Sequence, residues 1–145
     1  MESDKKSVTL VIAWVLLLIV GLLMILGGAG SLIVAYRGGN DAIAGVSFQT
    51  LAQVNPELPK AIRGRRATAA TYALTSGLLV AWIAVTAFRK RQKWAWYGLL
   101  CSLGIGSALS ALRIPLMDYR PGSESSGIIL VALIIALGIS FRDFK

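Results

Sequence analysis

Glu57, Arg63, Arg113, Asp118 and Arg120 are the residues of this chain whose types could do chemistry together. Guanidinium groups grip phosphates and carboxylates through paired, charge-assisted hydrogen bonds. Three arginines with two carboxylates at their margin would bind an anionic head group or a small anionic substrate. Arg113 ends a long apolar run, where its aliphatic stem can lie on apolar surface while the head reaches water. Asp118 is its nearest acidic neighbour in sequence, and Glu57 would approach from another loop. The alternative is an ion-paired loop, since exposed pairs of this kind are common and contribute little.

No other constellation carries chemistry. The chain has no histidine. That removes the commonest general base and the usual haem, zinc and copper ligand. Cys101 is the only cysteine. An intramolecular disulfide, a CxxC pair and a thiolate metal cluster are therefore excluded, and with them thiol-dependent quinone reduction. The apolar runs hold no central carboxylate or lysine of the kind that proton-coupled pumps and exchangers use. Nucleophile elbows and phosphate-binding loops are also missing. The sequence predicts no catalytic residue, no cofactor and no metal.

The elements that must position the charged cluster are membrane helices. Hydrophobic residues make up 56% of the 145 and charged residues only 15%, against about 45–50% apolar in a soluble chain. The charges gather between long uncharged runs. A membrane-crossing helix needs about 20 mainly apolar residues. Four segments meet or approach this, at 8–36, 67–88, 94–112 and 125–141. The last is short, and reaches across only if Ser125 and Ser126 join it or the bilayer thins. The first is long, and Gly27, Gly28 and Gly30 predict a bend within it. Its length also exceeds that of a signal peptide's apolar core, so a retained anchor is expected. The fold class predicted is all-α, an integral membrane four-helix bundle forming a single domain.

The segment 37–66 is the one sizeable soluble loop. Gly38-Gly39-Asn40 reads as a turn. Phe48, Leu51 and Val54 recur at helical spacing and predict a short amphipathic helix lying on the outer interface. Asn55-Pro56-Glu57 reads as a helix start, with Asn55 as the cap. The second helix is then expected to begin well before it meets the bilayer.

Orientation follows from charge. Arg89-Lys90-Arg91-Gln92-Lys93 is a very short connection rich in cations, and short basic loops stay in the cytoplasm. Both termini are then cytoplasmic, in agreement with Lys5, Lys6, Arg142 and Lys145. The outer loops together carry seven cations against eight inside, five of them in the longer 37–66 loop, but long loops are less constrained. Trp14, Trp94 and Trp96 fall at one interface and Tyr36, Tyr72 and Tyr119 at the other, while Trp82 falls deeper and suits packing. The net charge of +8 serves anchoring and orientation, and no nucleic-acid partner is expected.

Small residues recur every fourth position along the later spans. They are Ala69, Ala73, Gly77 and Ala81 in the second, Gly98, Ser102, Gly106 and Ser110 in the third, and Ala132, Ala136 and Ser140 in the fourth. Such stripes let helix backbones approach closely where lipid gives no hydrophobic drive. They would pack the bundle internally or dock another membrane protein.

Pro59 and Arg63, then Phe88-Arg89-Lys90 with Lys93-Trp94-Ala95-Trp96, then Arg113 and Tyr119-Arg120-Pro121-Gly122 form a pattern over the last two-thirds of the chain. In this it resembles the DoxX-like group of small four-helix bacterial membrane proteins. The resemblance implies a four-helix fold. Some members of that group are associated with quinone or redox complexes, whereas this chain lacks a redox residue of its own.

The functional expectation is a non-enzymatic accessory or assembly subunit of a bacterial inner-membrane complex. Its partners would be the lipid bilayer and other membrane subunits or a further copy. The alternatives are a small-molecule or lipid carrier with its site at the outer mouth, and a quinone-linked enzyme subunit whose partner supplies the redox centre.

Overall fold

The computed structural model describes residues 8–37, 42–43, 45–112, 115–116 and 123–144. Among the described residues the fold is all-α apart from one small hairpin. Helix α1 is Val8–Arg37, 30 residues long. At about 1.5 Å per residue it measures roughly 45 Å, against about 30 Å of hydrocarbon, so it must tilt or project. It runs unbroken through Gly27, Gly28 and Gly30.

Two strands follow. β1 (Ala42–Ile43) pairs antiparallel with β2 (Val46–Ser47). Gly45 at φ 81° supplies the left-handed residue of the connection, a conformation that favours glycine. Ser47 then caps α2 (Phe48–Val54), its Oγ accepting the Thr50 N–H at 3.1 Å.

Asn55 ends one helix and starts the next. Its N–H donates to the Leu51 carbonyl at 3.0 Å, while its Oδ1 accepts the Glu57 N–H at 2.9 Å. Pro56 sits where no N–H is needed. Helix α3 is Glu57–Ile83 and continues as a π-turn over Ala84–Phe88. The next helical run comprises α4 (Lys93–Leu99), a second π-turn (Leu100–Gly104) and α5 (Ile105–Ala111). The last helix, α6 (Ser123–Ser140), tightens into a 3₁₀ turn over Phe141–Phe144.

Each π-turn holds a hydroxyl bonded back to the carbonyl four residues earlier. Thr86 Oγ1 donates to the Trp82 carbonyl at 2.6 Å in the first, and Ser102 Oγ to the Gly98 carbonyl at 2.7 Å in the second. The same back-bonding satisfies Thr68, Thr71 and Thr75 along α3. Hydroxyls satisfied within their own helix can face lipid without an unmade hydrogen bond.

Among the described residues three helices are long and apolar enough to cross a membrane: Val8–Arg37, Glu57–Phe88 and Ser126–Phe144. They expose large apolar side chains such as Leu23, Leu26, Leu79, Trp82, Ile128 and Ile134. A soluble monomer rarely carries so much contiguous exposed apolar surface. Lipid accounts for it. The chain is therefore a helical membrane protein.

The residues group into two compact units. The first, Leu23–Leu78, joins the second half of α1, the hairpin, α2 and the first part of α3. Gly28 is a point of close approach between its two long helices. A Cβ there would lie 2.7 Å from the Leu74 nitrogen and 2.9 Å from the Ala70 carbonyl oxygen. The glycine cluster expected to bend α1 thus includes a point of backbone contact. Phe48 at the start of α2 is buried, so α2 turns part of its apolar face into the protein and leaves Val54 exposed.

The second unit holds the start of α1, the end of α3, α4, α5 and α6. The α4–α5 run lies antiparallel to α6. Trp96 Nε1 donates to the Leu137 carbonyl at 3.1 Å, and further along a Cβ on Gly104 would sit 3.7 Å from Leu133. Phe88 meets Phe144 with ring centroids 4.7 Å apart, and Thr9 Oγ1 donates to Asp143 Oδ2 at 2.9 Å. The start of α1, the end of α3, the start of α4 and the end of α6 therefore share one end of this unit.

Candidate functional site

The charged cluster is only partly in view. Arg113, Asp118 and Arg120 lie outside the described residues. Glu57 Oε1 accepts from Lys60 Nζ at 2.7 Å, one helical turn away and well exposed, so this pair contributes little. The Arg63 guanidinium stands over the Phe48 ring, 5.2 Å from its centroid. A cation over an aromatic face is held by the ring quadrupole. These two members of the expected site are thus held by different neighbours. Nearby, Arg66 Nε donates to Ser31 Oγ at 3.3 Å, tying α3 to α1.

The small-residue stripes separate into distinct roles. On α3, Gly77 is buried, Ala73 and Ala81 are half-buried and Ala69 is exposed. The buried line passes instead through Ala70, Gly77, Val80, Ala84 and Ala87. On α6, Ala136 and Ser140 are buried and Ala132 half-buried. Ser140 Oγ is satisfied by the Ala136 carbonyl at 2.7 Å.

The third stripe faces the other way. Gly98, Ser102 and Gly106 are exposed and Ser110 is half-buried. The buried line of the same run is Ala95, Leu99, Leu103 and Ser107. A Cβ on Gly106 would meet nothing within 4 Å, and one on Gly98 only the Trp94 ring of its own helix, at 3.9 Å. Cys101 is exposed beside this face. The π-turn Leu100–Gly104 falls in the middle of it, and π-turns concentrate at functional sites. What results is a smooth, shallow helix surface with its one central hydroxyl already satisfied. Chemically it can do one thing well, which is to let another helix come close.

Two features go beyond the sequence reading. Trp96, grouped with the interface rings, also packs on α6, and Trp82, which suited packing, is 71% exposed. The turn after α3 is also a built structure. Arg91 N–H donates to the Phe88 carbonyl at 2.9 Å and Gln92 N–H to the Ala87 carbonyl at 3.1 Å. Arg91 sits at φ 58°. This is the paired bonding of a Schellman cap, with arginine where glycine is usual. Among the described residues no group of three metal-ligating side chains comes together.

Comparison with known proteins returns nothing: no family model, no curated protein and no solved structure matches this chain.

Proposed function

We propose that this chain is a non-enzymatic accessory or assembly subunit of a bacterial cytoplasmic-membrane complex, acting through helix–helix packing. The observation that carries this reading is the exposed face Gly98–Ser102–Gly106, with open space beside Gly106. Small residues kept on an outward helix face serve close backbone approach, and internal packing does not use them here.

The proposal includes four crossings with both termini in the cytoplasm. Residues 93–111 would supply the fourth crossing. They cover about 28 Å as a helix, close to the hydrocarbon thickness of roughly 30 Å. They also run antiparallel to α6, which is long and apolar enough to span. The gathering of four helix ends around Thr9, Phe88, Trp96 and Asp143 supports an even number of crossings. The basic turn 89–93 at that end supports a cytoplasmic placement. Kinship with the DoxX-like group is part of the same proposal and rests on the sequence pattern around Pro59, Arg63, the basic turn and Trp94-Ala95-Trp96.

The test is extraction of the full chain in a mild detergent followed by native gel electrophoresis. The expected result is a band well above the single chain, containing another membrane protein or a further copy. Migration only as the free small chain counts against the proposal.

A further inference from the structure

We propose that the turn Arg89–Trp94 is a binding site for the head group of an anionic phospholipid. The turn is closed by backbone hydrogen bonds. Its two capping hydrogen bonds fix Arg91 in a left-handed conformation that L side chains disfavour. Glycine would relieve that strain, yet the position holds a cation. An observed backbone outlier of this kind points to a role for the side chain it carries.

The surrounding groups are arranged in the same sense. Arg89, Lys90, Arg91 and Lys93 are all exposed. The Arg89 guanidinium stands 5.7 Å from the centroid of the Trp14 ring, which orients it and leaves its outer N–H groups for an acceptor. Trp94 donates its Nε1–H to Gln92 Oε1 at 2.7 Å and is 57% exposed. An exposed indole beside a cationic turn suits the depth where acyl chains meet head groups. Asp143, the acidic residue described at this end, accepts from Thr9. The turn directly follows a helix long enough to span the membrane, so its cations stand at head-group level. Phosphate oxygens there complement arginine forks and lysine point charges.

The experiment uses the full chain in mixed nanodiscs of phosphatidylcholine and phosphatidylglycerol, with retained lipid read by native mass spectrometry. Wild type should retain phosphatidylglycerol selectively. Arg91→Gly should lower that retention about fivefold, the effect of one membrane-surface cation. Its melting temperature should stay the same or rise, because the turn is eased. Arg91→Lys should restore retention. Equal phosphatidylglycerol retention in wild type and the Lys90→Ala/Arg91→Gly double variant overturns the proposal. So does parallel loss of the neutral lipid. Displacement of the lipid by inorganic phosphate, at an ionic strength where chloride has no effect, would assign the turn to free phosphate and overturn the lipid reading.

Discussion

Adding a single methyl group at Gly28 tests how the two long helices of the 23–78 unit are held. In Gly28→Ala the new carbon would sit 2.7 Å from the Leu74 nitrogen and 2.9 Å from the Ala70 oxygen. Relaxed contacts of this kind need about 3.5 Å, so the helices must part by roughly 0.7 Å. Both obstacles are backbone atoms, and no rotamer change moves them. Overpacking of this sort costs about 1–3 kcal/mol. Against it stands the helix-propensity gain of alanine over glycine, about 1 kcal/mol. Gly27 and Gly30 share the helix but have nothing within 4 Å. Alanine there should keep the gain without the cost. The two kinds of variant should therefore differ by about 1–3 kcal/mol, with Gly28→Ala the less stable. Thermal unfolding in one detergent, followed by circular dichroism, reads the difference as a few degrees in Tm. If Gly28→Ala melts at or above Gly27→Ala, the close approach of α1 and α3 is wrong.

Further tests address the other contacts. Trp96→Phe removes one donor to the Leu137 carbonyl, which Ser140 Oγ also approaches at 3.3 Å, and should cost about 0.5–1.5 kcal/mol in the same unfolding assay, while Trp94→Phe, at an exposed ring, should cost less. Gly106→Leu should leave the melting temperature unchanged and reduce recovery of the native-gel complex; Gly104→Leu, facing Leu133 at 3.7 Å, should lower the melting temperature itself. With Cys101 replaced, a cysteine at Gln92 should be protected from an impermeant thiol reagent added outside cells, and one at Ser123 should react.

Much of the helical framework was legible in the sequence, because lipid imposes long apolar runs and punctuates them with charge. The start of α3 at Asn55-Pro56-Glu57 was legible too, since capping depends on local chemistry alone. The hairpin was not: its strands are two residues each, and only Gly45 marks it. The facing of each helix was the hardest to read. A soluble helix declares its buried side by amphipathicity, but a helix apolar all round does not. For that reason the small-residue stripe on α3 did not by itself tell the buried side, where Gly77 joins Ala70, Val80, Ala84 and Ala87 while Ala69 is exposed. The stripe on α4–α5 was legible as a stripe, whereas its outward direction depends on Ala95, Leu99 and Leu103 facing inward. The charged cluster remained a matter of residue types, with Glu57 and Arg63 held by neighbours of their own.

The outward face of α4–α5 can be probed directly in cells. A photo-crosslinking residue placed at Ser102, with Ile128 as a lipid-facing control, reports what lies against each position. The account predicts a discrete protein adduct from Ser102, lost in Gly98→Leu, and none from Ile128. Adducts to lipid alone at both positions would contradict it, because the face would then be bare helix surface with no partner to receive it.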